Sequence, residues 1–193
     1  MKATAIILAA GASKRMGLPK ALLEADQGRS FLGRLAKIFT EAGLAPLVVL
    51  GAHAAQIQAA HPKLPSVLNP NWHDGQLSSV YVGLRAAISQ GAGRILVHPV
   101  DTPMIASATA SQLLAGLDHS PMLMARCEGK TGHPLGLRRD AAQRLLTCSA
   151  TTLEEGAAIL GAGHLEVADP LILDNLNTPE AYLRRFGRNP RVV

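Results

Sequence analysis

Aromatic side chains are scarce in this sequence: phenylalanine, tyrosine and tryptophan make up 3% of 193 residues, with a single tryptophan. That shortage argues against a nucleic-acid surface, which stacks bases on aromatics and gathers its cations, whereas the cations here are dispersed. The net charge of +5 fits an acidic small ligand instead. Cysteine is nearly absent. Cys127 and Cys148 lack metal-like spacing, so they read as free or buried thiols of a reducing compartment rather than a zinc site or disulfide framework. Charged residues reach only 17% against 48% hydrophobic, a balance that excludes disorder over most of the length. No apolar run approaches the ~20 residues of a membrane span. The apolar start superficially resembles a secretory leader, but it is short and runs into Gly11-Ala12-Ser13-Lys14-Arg15, which suits a strand and loop. The expectation is a cytoplasmic protein with no nucleic-acid and no membrane partner.

Repeats, low-complexity blocks and linkers are missing too, so residues 1–193 read as one domain, with 187–193 as a flexible tail. What is present is alternation. Residues 3–10 form an apolar run with small residues at its end, and Phe31, Leu35, Ile38 and Phe39 follow at helical spacing. Strands are expected at 47–51, 66–70, 94–100 and 121–127, with helices at 53–60, 76–89 and 107–117 between them. Residues 130–137 read as a turn feeding another strand. Thr151-x-x-Glu154 reads as a capping box for a helix through Leu160. Two late strands, 164–169 and 171–175, are separated by Pro170, and Thr178-Pro179-Glu180 opens a last helix. This alternation predicts an α/β fold with helices on both faces of a mostly parallel sheet.

The chemistry gathers first in residues 1–20. A buried strand that breaks into a loop rich in backbone donors is where an α/β protein places an anion. The loop matches neither common phosphate motif. Met16 stands where a P-loop needs its second glycine, and Ser13 where the dinucleotide fingerprint needs one. What remains is Leu8-Ala9-Ala10-Gly11-x-Ser13-x-Arg15-Met16-Gly17-x-Pro19-Lys20. Gly11 lets backbone amides approach a phosphate and Ser13 adds a hydroxyl. Arg15, a planar fork, and Lys20, a point charge, can bracket a triphosphate. Lys14 reads as an incidental surface cation.

With these motifs in order, the chain resembles the MobA-like nucleotidyltransferases, and most of all their molybdenum-cofactor cytidylyltransferase branch. The likeness extends over nearly the whole chain. It rests on the opening motif, on Asn69-Pro70-x-Trp72-x-x-Gly75-Gln76-x-Ser78-Ser79, on Asp101-Thr102-Pro103, on Gly132-His133-Pro134 and on Asn175-Leu176-Asn177-Thr178-Pro179-Glu180. The resemblance implies a Rossmann-like three-layer sandwich of the nucleotide-diphospho-sugar transferase type. It implies transfer of a nucleotidyl group, CMP from CTP, onto a phosphorylated acceptor, molybdopterin, with release of pyrophosphate. A molybdenum-enzyme client is a further partner. Leu8, Ala9, Ala10, Gly11, Ser13, Arg15, Lys20, Gly75, Ser78 and Ser79 would bind the nucleotide; Arg15, Lys20 and Asp101 would be catalytic. Asp101, assisted by Asn175, would hold Mg²⁺, and His133 with Pro134 would face the acceptor. His98 reads as packing rather than as a ligand.

Two departures bear on the base. Asn175 and Asn177 stand where the cytidylyl branch carries acidic residues, and Gly156-Ala157-Ala158 lacks an arginine often found after that Gly-Ala. Against this, Ala10 matches the cytidylyl form, whereas the guanylyl form has glycine there. A methyl at Ala10 is expected to narrow the base site and favour a pyrimidine. Other readings stay open: GTP as the donor, a sugar phosphate or other phosphorylated metabolite as the acceptor, or a non-catalytic nucleotide- or cofactor-binding protein. Residue by residue, Asp101 can be an N-cap, Ser78 and Ser79 ordinary helix caps, His133 structural, and Asn175 with Asn177 a plain turn.

Overall fold

A computed structural model describes residues 2–193. The opening apolar run forms β1 (Lys2–Ala9), buried from Thr4 onward. Its side chains alternate between two cores: Ala5, Ile7 and Ala9 enter one, Ile6 and Leu8 the other. A strand apolar on both faces belongs in the middle of a sheet covered on both sides. After a short 3-10 turn at Lys20–Leu22 the chain makes a small hairpin, β2 (Glu24–Asp26) and β3 (Arg29–Ser30). It continues through α1 (Phe31–Glu41), β4 (Ala45–Leu50), α2 (Ala54–Ala60), β5 (Ser66–Leu68), α3 (Gln76–Ser89) and β6 (Ala92–Pro99). The second half adds α4 (Ser107–Gly116), β7 (Met122–Cys127), β8 (Lys130–Arg138), α5 (Arg139–Leu145), α6 (Leu153–Ile159), β9 (Gly163–Glu166) and α7 (Pro179–Phe186).

Seven strands form one sheet in the order β5-β4-β1-β6-β8-β7-β9. β1 pairs parallel with β4 on one side and β6 on the other. Only β8 runs against its neighbours, antiparallel to both β6 and β7. Helices α1, α4 and α7 feed one core and α3, α5 and α6 the other, which gives three layers. The path leaves β1 first toward β4 and β5, then crosses back to β6. That reversal opens a crevice beyond the carboxyl ends of β1 and β6, the place where open α/β sheets bind ligands. No helix among the described residues is long and apolar enough to cross a membrane.

The mostly parallel sheet and its alternation match expectation, and several local readings are corrected. Residues 171–175 do not form a strand. Asp169 accepts the Leu171 N–H (3.1 Å) and Pro170 fixes the next backbone angle, so Pro170–Leu173 coils into a 3-10 turn. Residues 130–134 are strand, not turn, because the hairpin reverses at Glu128 and Gly129, both with positive φ (49° and 76°). The cap of α6 lies one residue later than read: Thr152 accepts the Glu155 N–H, and Glu155 accepts the amide and hydroxyl of Thr151. The sequence Thr-Thr-x-Glu-Glu satisfies the pattern in both frames, and the second frame wins.

The tail at 187–193 is not free. Glu24 N–H donates to the Arg191 carbonyl (2.9 Å), Val193 N–H to the Leu22 carbonyl (3.1 Å), and Leu23 bridges Val192. Glu24, only 2% exposed, receives Arg191 and Arg188 on its carboxylate. The Arg191 guanidinium, helped by the Gly28 amide and Arg188, holds that carboxyl down to a pKa of about 2.

Candidate active site

The crevice is a cleft of about 620 Å³. It is lined by the end of β1 (Leu8, Ala9), by residues 10–15 and 19–21, and by Pro99, Val100 and Asp101 after β6. The opening loop is built from inside. Ser13 takes a left-handed backbone (φ 54°), and its carbonyl accepts the Met16 and Gly17 amides, both at 3.0 Å. Met16, 3% exposed, anchors the turn in the core. Gly17 follows at φ 75°, a conformation glycine adopts without penalty. The Ser13 hydroxyl accepts the Lys20 amide (3.2 Å), which fixes where that lysine leaves the backbone. Gly11 is exposed, and a Cβ there would meet nothing within 4 Å. The protein therefore leaves that space open for a ligand to approach the backbone.

Lys20 and Asp101, 81 residues apart, meet directly: Nζ donates to Asp101 Oδ2 at 2.8 Å and to Asn177 Oδ1 at 2.7 Å. Their side chains are 16% and 17% exposed, so the pair is only partly screened by water. Asp101 thus lies directly beside Lys20. The segment carrying Asn177 is laced to the Asp101 turn. Leu176 N–H donates to the Asp101 carbonyl (2.8 Å), and Thr102 Oγ1 donates to Asn175 Oδ1 (2.9 Å). Asn175 lines the cleft, yet its amide oxygen already serves Thr102, while Asn177 reaches the charged pair. Arg15 is exposed and lines the same space.

Beneath Asp101 lies His98, fully buried, edge-on to Phe39 at 5.5 Å. Nε2 donates to the Thr102 carbonyl (2.8 Å), so Nδ1 carries the lone pair, and it has no partner. Burial, reinforced by nearby His133, pushes the His98 pKa down to about 3, so the ring stays neutral. It packs the turn, as its sequence setting suggested. His133 faces the cleft from β8, its pKa also lowered by burial. Pro134 is buried in the strand and does not line the cleft.

Gly75, Gln76 and Ser79 bring the start of α3 to the cleft. Gly75 precedes the helix at φ 99°, with no side chain capping the first amides. Ser78 turns away. Asn69, 1% exposed, donates to both Ser78 and Ser79 hydroxyls at 2.9 Å, and its own Oδ1 accepts the Asn71 amide. Asn69 therefore organises this loop rather than touching a ligand. Trp72, His53 and Ile57 also line the cleft, and sequence reasoning assigned none of them. For Trp72 a signal existed: a lone large aromatic in a polar loop of Asn, Pro and Gly.

Trp72 sits where it does because residue 51 is glycine. A Cβ on Gly51 would come within 2.4 Å of the Ala10 carbonyl, 2.8 Å of Trp72 Cβ and 2.9 Å of Ala10 Cβ. The Ala10 methyl, in a residue 4% exposed, thus lies against Gly51. Gly51→Ala is expected to lower stability by about 1–3 kcal/mol, the usual cost of overpacking. A thermal melt checks the stability, and a weaker fit of nucleotide shows that the Ala10–Trp72 wall has moved.

Among the described residues no group of three or more His, Cys, Asp or Glu side chains is placed to hold a metal. Asp101 with the Asn175 and Asn177 oxygens supplies one carboxylate and neutral oxygen donors. That set is too sparse for a dedicated cage but suits Mg²⁺, which takes one or two carboxylates and completes its shell with substrate phosphates and water.

A profile of the MobA-like NTP transferase domain matches residues 5–167. The chain belongs to that family. A relative from Xanthomonas euvesicatoria pv. vesicatoria, named molybdenum cofactor guanylyltransferase, is 31% identical, with 97% of this chain and 96% of that one covered. Another, from Paenarthrobacter nicotinovorans, is 34% identical over 81% of this chain and 79% of that one, and is named nicotine blue oxidoreductase. In three dimensions a nucleotidyl transferase from Methanothermobacter thermautotroptrophicus superimposes with a TM-score of 0.79 at 24% identity, covering 95% of each chain. The three-layer fold is that of the nucleotide-diphospho-sugar transferases, and the MobA-like chain described here is a nucleotidyltransferase.

Proposed function

We propose that this MobA-like protein transfers a guanylyl group from GTP to molybdopterin, with Mg²⁺, in the cytoplasm. The observation that carries the reaction class is the cluster of Lys20, Asp101 and Asn177 at the carboxyl ends of β1 and β6. The choice of GTP is supported by the relatives named guanylyltransferase and by Asn175 and Asn177 in place of acidic residues. It replaces the pyrimidine preference expected from Ala10. That methyl packs on Gly51.

The acceptor needs little help from a base. A phosphomonoester, with its second pKa near ~6, is already a dianionic nucleophile at neutral pH. Its oxygen attacks the α-phosphorus of GTP, the α–β P–O bond breaks, and pyrophosphate carries the electron pair away. The obstacle is repulsion between two anions. Lys20, Arg15 and the amides around Gly11 offset it at the triphosphate, and positioning with electrostatics does the rest. Asp101 with Asn177 would hold Mg²⁺, which supplies a Lewis acid for the phosphate oxygens. Asp101 pairs with Lys20 in the cleft. Mg²⁺ held by Asp101 would free the ammonium for the triphosphate, the two groups then working in exchange.

The experiment is a pyrophosphate-release screen of the four nucleoside triphosphates with purified molybdopterin. GTP is expected to turn over at least ~10-fold faster than CTP, the scale of one well-used contact. Comparable GTP and CTP rates, or a CTP preference, would return the cytidylyl reading that Ala10 favours.

A further inference from the structure

Lys20 is held only as well as its backbone is held. It opens a 3-10 turn of three residues, too short to stabilise itself. The Ser13 hydroxyl fixes the side that leads in. On the side that leads out, residues 22–24 pair with residues 191–193 through the two backbone hydrogen bonds that make up the Leu23–Val192 bridge. A ladder that short is not stable alone. What secures it is Glu24, buried beneath Arg191 and Arg188, the latter at 3.1 Å, with its Oε1 accepting the Gly28 amide at 3.0 Å.

Through α7 the strap is also linked to the side chain of Lys20. It emerges from α7, whose cap, Thr178, directly follows Asn177, the residue that accepts from Lys20 Nζ. α7 is docked by Tyr182, whose hydroxyl donates to the Glu24 carbonyl at 2.6 Å. Tyr182 stacks on Phe31 with ring centroids 6.0 Å apart, and Phe186 lies 4.6 Å from Tyr182. Half of the chain's few aromatic rings are spent on this one joint. Strap, α7 and Asn177 therefore close a ring that starts at the Lys20 backbone and ends at its ammonium.

We propose that residues 188–193 are a positioning strap for Lys20, with Arg191 and Arg188 acting through Glu24 to set the ammonium between Asp101 and Asn177. The inference deepens the proposed reaction and rests on it for the kinetic effect, but not for the geometry. Removing the arginines leaves a buried carboxylate without its countercharges, and residues 22–24 must move to hydrate it.

Three variants test this: Arg191→Ala, Arg191→Lys and a chain ending at Gly187. Arg191 is 62% exposed, so Arg191→Ala is expected to fold even if the truncated chain does not. The first reading is labelling of Lys20 by an amine-reactive ester, followed by peptide mass spectrometry, with Lys37 and Lys63 as distant references. Labelling of Lys20 alone is expected to rise by about 5-fold in Arg191→Ala and to return most of the way in Arg191→Lys, which keeps the charge. The second is a double-mutant cycle on kcat for pyrophosphate release. Arg191→Ala is expected to cost about 10-fold in the wild-type background and less than about 2-fold in Lys20→Ala. Unchanged Lys20 labelling, or a kcat loss of full size in the Lys20→Ala background, overturns the proposal. A wild-type protein that releases no pyrophosphate defeats the reaction instead, and the labelling result still decides the strap.

Discussion

Asp101→Ala is expected to reduce metal-dependent pyrophosphate release by more than ~10³-fold, because it removes the carboxylate among the cleft's oxygen donors and, with it, a Lewis acid worth several kcal/mol. The fold should survive. Lys20 keeps Asn177 as an acceptor, and the Asp101 backbone stays laced to Leu176. The pair is about one-sixth exposed, so losing one charge-assisted hydrogen bond should cost on the order of 2 kcal/mol of stability. Circular dichroism and a thermal melt measure that part, and a steady-state pyrophosphate assay the other. Near-normal turnover in a folded Asp101→Ala protein removes the residue from the metal role. Collapse of the fold with normal specific activity in the folded fraction makes it a structural partner of Lys20 instead.

Lys20→Ala is expected to lower kcat by about 30- to 1,000-fold, the 2–4 kcal/mol that a single well-placed electrostatic group contributes to a transition state. The loss should fall on kcat more than on the KM of the acceptor, because in the proposed reaction the ammonium would face charge that builds on the departing pyrophosphate. Asp101 then loses its countercharge and should bind a divalent cation more tightly without nucleotide. That change in metal affinity, read by isothermal titration, separates the exchange account from one in which Lys20 merely braces the loop. In the bracing account the melt drops, metal affinity stays fixed, and kcat per folded molecule is retained.

Much of this was legible in the sequence, for identifiable reasons. β1 could be read because an apolar run with no polar face has few places to go except the middle of a covered sheet. The opening loop could be read because the residues that shape it, Ser13, Met16, Gly17 and Lys20, are close in the chain. The meeting of Lys20 with Asp101 could not be read, since it follows from the reversal of strand order between β1 and β6. The partners of Asn69 and Asn175 could not be read either. An amide side chain looks the same in sequence whether it serves a ligand or, like these two, satisfies Ser79 or Thr102. The tail was hidden most completely. A polar, arginine-rich terminus carries the composition of disorder. Its partner, Glu24, lies 167 residues away and gives no sign that it is buried.

The cleft between β1 and β6 is expected to move a nucleotidyl group onto a phosphorylated acceptor. The most direct measurement follows the α-phosphate. Purified protein is incubated with GTP labelled at that position, Mg²⁺ and molybdopterin, and the products are resolved by chromatography and mass. The label is expected on the pterin, one pyrophosphate is expected per label transferred, and both should vanish in Asp101→Ala. Label that stays in GTP, or leaves as free GMP with no acceptor product, contradicts the account.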